Sequence, residues 1–432
     1  MLKKVIKIWK ERKNFFKFEI EKKLKDKSGK EFLGRVGRFE TAHGEILTPA
    51  FATVGTKAAI KGLTVEQLEE IDPEVFLANT YHLYLSPGPE IIKKHGGLHK
   101  FSRWNGPIMT DSGGFQAFSL GAAFGKNISK IAKDDTDFIQ TKKNENTSGF
   151  AKITEDGVEF RNYKSGEKLF FSPEKSMQIQ EDLGADIAFA FDECTSPQAT
   201  YEYQKEAMDR THRWAIRSLE EHQKLEKKKF SFWDVPGTSW KKKKYPQALF
   251  GIVQGGRFQD LREESAKFIG NLDFDGFGIG GSFDKDDMEK AVAVVNKILP
   301  ENKPRHLLGI GEPIDIFMGV ENGVDFFDCV APTRMARHGT LHTKNGRMNI
   351  SRAQFKNDMN PIEIGCQCYT CQNYTRAYVN HLIREGEMLG MTLTTIHNLH
   401  FIVNLVKEIR QSILDDRFFE FKEEFLKKYY KK

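Results

Sequence analysis

The chain has no run of about 18 apolar residues, which excludes a membrane-spanning helix. It also lacks the pattern of a secretory leader: MLKKVIKIWKERKNFFKF carries basic residues but no continuous apolar stretch. Glu11, Glu19 and Glu21 break the acid-poor pattern of a mitochondrial transit peptide, so the expected location is cytoplasmic. Cysteine is scarce, with five in 432 residues. Three of them, Cys366, Cys368 and Cys371, crowd together, which argues for a metal site rather than a disulfide framework. No fixed-period repeat is visible, so a solenoid or propeller is not expected. Neither charge sign dominates: 66 Lys and Arg against 60 Asp and Glu leave a formal net charge of +6. That balance suits a polyanionic partner without proving one.

What is present is a soluble, globular composition, 39% hydrophobic and 29% charged, long enough for one large barrel or two ordinary domains. Short apolar runs alternate with helical patterns, as expected of parallel strands joined by crossover helices. Eight strands are predicted: Ile46–Val54, Glu74–Ala78, Pro107–Thr110, Asp186–Phe191, Ala248–Val253, Asp275–Ile279, Arg305–Gly309 and Asp325–Phe327. Helices are predicted at Thr64–Ile71, Ser172–Gly184 and Asp284–Leu299, the second opened by Ser172-Pro173-Glu174 and stopped by Gly184. Eight such units favour a closed (β/α)8 TIM barrel over an open sheet. Two polar stretches interrupt the rhythm, Gly121–Thr154 and the lysine- and aromatic-rich His222–Tyr245. They read as solvated insertions, or as arms that set lysines on phosphates and aromatics on exposed bases. Three further helices, Arg376–Met388, Thr395–Ile413 and Asp416–Tyr429, follow the cysteine cluster. The expected organisation is an extension and first strand over 1–30, the barrel over 31–345 and a zinc-binding helical subdomain over 346–432.

Barrel enzymes build their sites where strands end. Here the strand ends carry Asn79-Thr80-Tyr81-His82, Asp111-Ser112-Gly113-Gly114-Phe115, Asp192-Glu193-Cys194, Gln254-Gly255-Gly256, Gly280-Gly281, Gly309-Ile310-Gly311 and Asp328-Cys329. Any one of these could simply cap a helix or serve a tight turn. Together they suit a flat, hydrogen-bonding ligand such as a purine-like base. Asp192 can accept from a ring N–H and an exocyclic amine, Gln254 and an N–H near Gly281 can meet a carbonyl edge, and Phe115 can stack on the ring. A further carboxylate can attack an anomeric carbon, with a nearby acid serving the departing base. Spacing alone does not select this over other carboxylate chemistry.

Cys366-x-Cys368-x-x-Cys371 with His397 supplies three thiolates and an imidazole, a complete tetrahedral shell for one structural Zn2+ per subunit. His400 is the alternative fourth ligand.

The stretches TPAFATVGTKAAIKGL, ANTYHLYLSPG, MTDSGGFQ, AFDECTSP, GIVQGG, FDGFGIGG, FFDCVAPTRMARHGT, CQCYTC and HNLHF resemble the bacterial-type tRNA-guanine transglycosylases. The likeness runs from about Phe16 to Tyr429. It implies a glycosyltransferase that replaces the wobble guanine of GUN-anticodon tRNAs with a 7-deazaguanine base, in queuosine biosynthesis. Asp328 matches the nucleophile that becomes covalently bound to the tRNA ribose, and Asp111 the general acid/base. Asp192, Ser112, Cys194, Gln254 and Gly281 match base-binding positions, with Phe115 on one face and Leu308, where bacterial relatives often carry Met, on the other. Arg334 and Arg337 match contacts to the anticodon loop. The resemblance also implies a homodimer.

One segment departs from the family pattern. Bacterial relatives usually follow the glycine pair with Leu-Ala-Val-Gly-Glu, whereas this chain reads GGSFDKDDM, placing Ser282 and Phe283 where other residues are expected. The shorter loop points towards a bulkier base such as queuine; Cys194 points towards 7-aminomethyl-7-deazaguanine, the expected substrate. Three rivals are weaker. A non-catalytic tRNA-binding subunit would lack the nucleophile or the acid, and both are present. An archaeal-type relative would carry additional C-terminal RNA-binding domains, which are not expected here. A zinc hydrolase needs an open coordination position.

Overall fold

The computed structural model describes residues 16–117, 151–162, 165–231, 246–281 and 287–431. Most of the polar stretch 121–154, the end of the lysine-rich stretch 222–245, and both Ser282 and Phe283 lie outside the described residues.

Eight parallel strands close a barrel: β1 (Ala50–Val54), β2 (Val75–Ala78), β3 (Ile108–Thr110), β4 (Ile187–Phe189), β5 (Ala248–Val253), β6 (Gly276–Ile279), β7 (Arg305–Leu307) and β8 (Phe326–Asp328). Each lies beside its sequence neighbour, and β8 returns to β1 through Phe326–Ala50, Phe327–Phe51 and Asp328–Ala52. Nearly every strand residue is buried, as expected of strands covered by crossover helices on one face and filling a barrel interior on the other. A helix follows each strand, as the alternation in the sequence predicts.

Local chemistry explains the helix boundaries. Thr64 caps Val65–Ile71 through a reciprocal box with Gln67. Ser172 accepts from Lys175 N ahead of Pro173–Leu183, and Gly184 closes that helix at φ 70°. Asp284–Leu299 is observed as Met288–Ile298. Among the described residues no helix is long and apolar enough to cross a membrane.

By compactness the chain divides into two units, one built mainly from Asn79–Phe101 and Met109–Arg305, the other from Phe18–Ala78, Ser102–Ile108 and His306–Lys432. In the first, Phe189 and Phe250 pack edge to face at 5.5 Å between ring centroids. Gly251 and Gly276 make room for large rings: a Cβ would fall 2.4 Å from Phe274 and 2.5 Å from Phe250. An antiparallel sheet of Ala151–Ile153, Val158–Arg161 and Lys168–Phe171 begins within the stretch read as a polar insertion. It buries Phe160 and Phe171 against Tyr81. The long helix Tyr201–Ser231 buries Trp214, whose Nε1 donates to Glu155 O at 2.7 Å. That helix takes in His222–Ser231, so the first part of the lysine-rich stretch continues a helix rather than opening a loop.

In the second unit an antiparallel sheet of Phe18–Lys25, Glu31–Thr41 and Gly44–Thr48 precedes the barrel. The single strand predicted over Ile46–Val54 is therefore two. Pro49, which has no N–H to give to a ladder, separates the end of this sheet from β1. Arg35 ties the sheet to β8 by donating to buried Asp325 at 3.0 Å and 2.7 Å through Nε and Nη2. The C-terminal helices are Tyr369–Asn373, Arg376–Glu385, Met388–Leu414 and Phe418–Tyr430. The predicted break between Met388 and Thr395 is absent: Gly386, at φ 74°, ends one helix, and the next begins at Met388.

Candidate active site and metal centre

In a parallel barrel the C-terminal strand ends share one rim. In the first unit Asp111 follows β3, and its Oδ1 accepts from Thr80 N at 2.8 Å. Its Oδ2 accepts from Asn79 Nδ2, while Thr80 Oγ1 donates to Asp111 O at 2.5 Å. Asn79 itself caps the helix Thr80–Leu85, its Oδ1 accepting from His82 N at 2.9 Å. The Asp111 carboxylate is thus aimed by the loop after β2.

Two glycines follow for separate reasons. Gly113 sits at φ 79°, and a Cβ on Gly114 would lie 2.6 Å from Asp192 O. Ser112 Oγ donates to Asp192 Oδ1 at 2.8 Å, and Gln254 Nε2 donates to Asp192 Oδ2 at 2.8 Å. All three side chains are buried. The predicted grouping of Asp192, Ser112 and Gln254 is therefore present. Gln254 is held in turn through its main chain, its N–H reaching Ser265 Oγ at 3.1 Å, and His212 Nε2 lies 3.1 Å from the same hydroxyl. Phe115, half-buried, follows the glycine pair. Cys194 is buried. Glu193 serves structure: Tyr203 OH donates to it at 2.7 Å and Arg210 pairs with it.

Burial pushes the His212 imidazole down to about 4. The folded protein therefore keeps His212 neutral while an unfolded chain begins to take up its proton near pH 6.5. Stability is fully present above that value and is lost as pH falls towards about 4. We expect urea unfolding to lose up to about 3 kcal/mol more across this window in the wild type than in His212→Gln, which accepts a hydrogen bond but does not titrate. Parallel pH curves for the two proteins would refute the assignment.

In the second unit Asp328 is the last residue of β8. Its Oδ1 accepts from Gly309 N at 2.8 Å and pairs with His306 Nε2 at 3.0 Å. His306 lies on β7 opposite Phe326 and is completely buried. Sequence reasoning missed it, because a lone histidine in an apolar strand reads as core. Leu308, half-buried, comes directly before Gly309, which takes φ 77°. Three residues after Asp328 the helix Ala331–Arg337 starts. Arg334 on it is exposed, and Arg337 Nη1 turns back to Thr333 O at 2.8 Å. Burial and the neighbouring Arg334 both depress the Arg337 guanidinium.

The same unit carries the candidate metal centre. Ligand atoms of Cys366, Cys368, Cys371 and His397 all lie within 4.8 Å of one another. His397 Nδ1 is 3.9, 3.5 and 3.4 Å from the three sulfurs in chain order. Tetrahedral Zn2+ with ordinary Zn–S and Zn–N bonds places sulfur and nitrogen about 3.6 Å apart, so the donor set fits that ion. His397 Nε2 faces His342 O at 2.7 Å, which fixes the tautomer that leaves Nδ1 for the metal. His400, the alternative, reaches only Cys366 Sγ, at 3.8 Å. Next to His397, Asn398 donates to Pro332 O and Thr340 O, both at 3.0 Å, and accepts from His342 N at 3.0 Å. The helix that carries the histidine ligand is thereby bonded to the helix that carries Arg334 and Arg337.

With this geometry in place, the comparisons with known proteins agree on one family. A family model described as queuine tRNA-ribosyltransferase matches residues 30–431. The chain is similar to the queuine tRNA-ribosyltransferases of Staphylococcus aureus strains JH9 and Mu50, each 47% identical over 406 residues that cover 93% of this chain and 95% of theirs. The chain belongs to the queuine tRNA-ribosyltransferase family.

Proposed function

We propose that this chain exchanges the wobble guanine of GUN-anticodon tRNAs for a 7-deazaguanine base by double displacement. The observation that carries the reading is the pair of aimed carboxylates at strand ends, Asp328 held by Gly309 and His306, and Asp111 held by Thr80 and Asn79. The Asp328 carboxylate attacks C1′ of the ribose. The bond to guanine breaks with its electron pair on the base, which takes a proton from the Asp111 carboxyl. The incoming base then gives its N9 proton to Asp111 and attacks C1′, releasing Asp328 with the original configuration restored. Asp192, with Ser112 behind it, accepts from the N–H edge of the base. Gln254 and the Gly281 N–H address the carbonyl edge, Cys194 borders the site, and Phe115 and Leu308 take the ring faces. Arg334 and Arg337 contact the anticodon loop.

Cys366, Cys368, Cys371 and His397 would hold a zinc ion that supplies a cross-link rather than a Lewis acid, since these four ligands would complete its shell. We place the enzyme in the cytoplasm, as a homodimer. The zinc-binding region favours the latter: Tyr369 and Tyr378 are exposed, and the Tyr374 and Tyr378 rings stack at 5.5 Å. A monomeric mass in sedimentation equilibrium would remove the dimer from the proposal.

The covalent step gives the direct test. Denaturing the enzyme during turnover with tRNA and labelled guanine should trap a chain–tRNA adduct, and label should enter the tRNA. Incorporation without an adduct, or no incorporation, overturns the scheme. The incoming base is tested by competition. Offered to guanine-labelled tRNA, 7-aminomethyl-7-deazaguanine should release label, and release by queuine alone would reassign the substrate.

A further inference from the structure

Arg262 lies on the helix Gln259–Gly270 and is completely buried. Its guanidinium reaches the loops after two neighbouring strands: Nε donates to Gly256 O and Nη1 to Gly280 O, each at 2.7 Å. The second carbonyl belongs to the peptide unit that also carries the N–H of Gly281. That bond is trans, so its C=O and N–H point in opposite directions. A donor that fixes the oxygen therefore also fixes where the N–H points. A cation on the oxygen polarises the peptide as well and strengthens the N–H as a donor. The Gly281 N–H makes no hydrogen bond among the described residues. Gly281 takes φ 91°, and a Cβ there would fall 2.7 Å from Arg262 Nη2, so a side chain at this position would be strained and would press on the guanidinium. Desolvating a guanidinium is costly, and this one is held where it fixes the carbonyls of two loops at the strand ends.

We propose that Arg262 is a positioning residue that aims the Gly281 N–H at the carbonyl of the base, and so sets the preference for a 6-oxo over a 6-amino purine. The inference rests on the reading above that Gly281 borders the base. A lysine at this place keeps the charge but has no fork with which to span both carbonyls.

The test measures inhibition of labelled-guanine exchange by unlabelled guanine and by 2,6-diaminopurine, in which an amine replaces the carbonyl. A site built to donate to a carbonyl rejects an analogue that lacks it, so the wild type should favour guanine by about 100-fold or more. In Arg262→Lys that ratio should fall by about tenfold or more, with the KM for tRNA within about threefold of wild type. A purely structural role lowers kcat for every base and leaves the ratio unmoved; that result overturns the proposal. Arg262→Gln repeats the measurement if the lysine variant does not fold. A wild-type ratio near one overturns the proposal with no variant at all. If the wild type exchanges no guanine, the transglycosylase reading itself falls; if it exchanges guanine without discrimination, only the role of Arg262 does.

Discussion

Asp328→Asn should lower guanine exchange by at least about 10³-fold while leaving tRNA affinity within about threefold of wild type. The substitution is nearly isosteric, and an amide oxygen can still accept from Gly309 N, which reaches Asp328 Oδ1 at 2.8 Å. The β8–β1 pairing of Asp328 with Ala52 is made by the main chain and is untouched. What the amide lacks is the anionic oxygen that the proposed scheme uses to form the ester to C1′, so on that scheme the bond to the base is not cleaved and no adduct accumulates. His306 supplies an internal control, because its Nε2 lies 3.0 Å from the same oxygen. His306→Gln keeps a donor and should retain most of the activity, whereas His306→Leu removes it and should lower kcat by about tenfold or more with KM for tRNA little changed. Exchange activity that survives in Asp328→Asn would assign the nucleophile to another residue. An equal loss of tRNA affinity would mean that the variant had damaged the binding surface rather than the chemistry.

Much of this site is readable before any fold is known, because the signals are local. Proline and serine at a helix start, glycines that only a tight turn or a close approach requires, and cysteines at metal spacing each act over a few residues. That is why Ser172–Gly184, the Asp111–Gly114 loop and the Cys366–Cys371 cluster emerge where they do. The eight strands emerge because burial on both faces makes each a short apolar run. What stays hidden depends on partners remote in sequence. Arg262 sits among charged residues in QDLREESAKF and reads as solvated surface, although it is buried against Gly256 and Gly280. His306 reads as core, since only the fold sets Asp328 beside it. The sheet from Ala151 to Phe171 has strands of three or four residues, too short for alternation to stand out from a polar background. The gap predicted between Met388 and Thr395 is instead helical, and Gly390 within it serves the close packing of Met388–Leu414 on Arg376–Glu385: a Cβ there would lie 2.9 Å from Leu382 Cβ.

Removing the metal should have the largest effect on stability. Structural zinc sites of this ligand type contribute about 10 kcal/mol or more where folding depends on them. Here the ligands join a loop at Cys366–Cys371 to His397, deep in a helix of the second unit, so losing the ion frees both. The consequence reaches Arg334 and Arg337, the residues proposed to contact RNA, by a traceable route. His397 faces His342 O, and Asn398, one residue on, holds Pro332 O and Thr340 O, the two ends of the segment that includes Arg334 and Arg337. Cys371→Ser should therefore retain little of the one zinc per chain expected of the wild type, and its unfolding free energy should fall by at least about 5 kcal/mol. Binding should suffer before chemistry does. At a temperature where the variant remains folded, KM for tRNA should rise about tenfold while kcat changes less, because Asp328 is held from β7 and the Gly309 turn rather than from the metal loop. Cys329→Ser is the matched control: Cys329 stands outside the cluster, and its loss should leave the metal content unchanged. Equal zinc content in Cys371→Ser and wild type would exclude these ligands. Lost zinc with an unchanged KM for tRNA would show that the helix bearing Arg334 and Arg337 does not depend on the metal for its position.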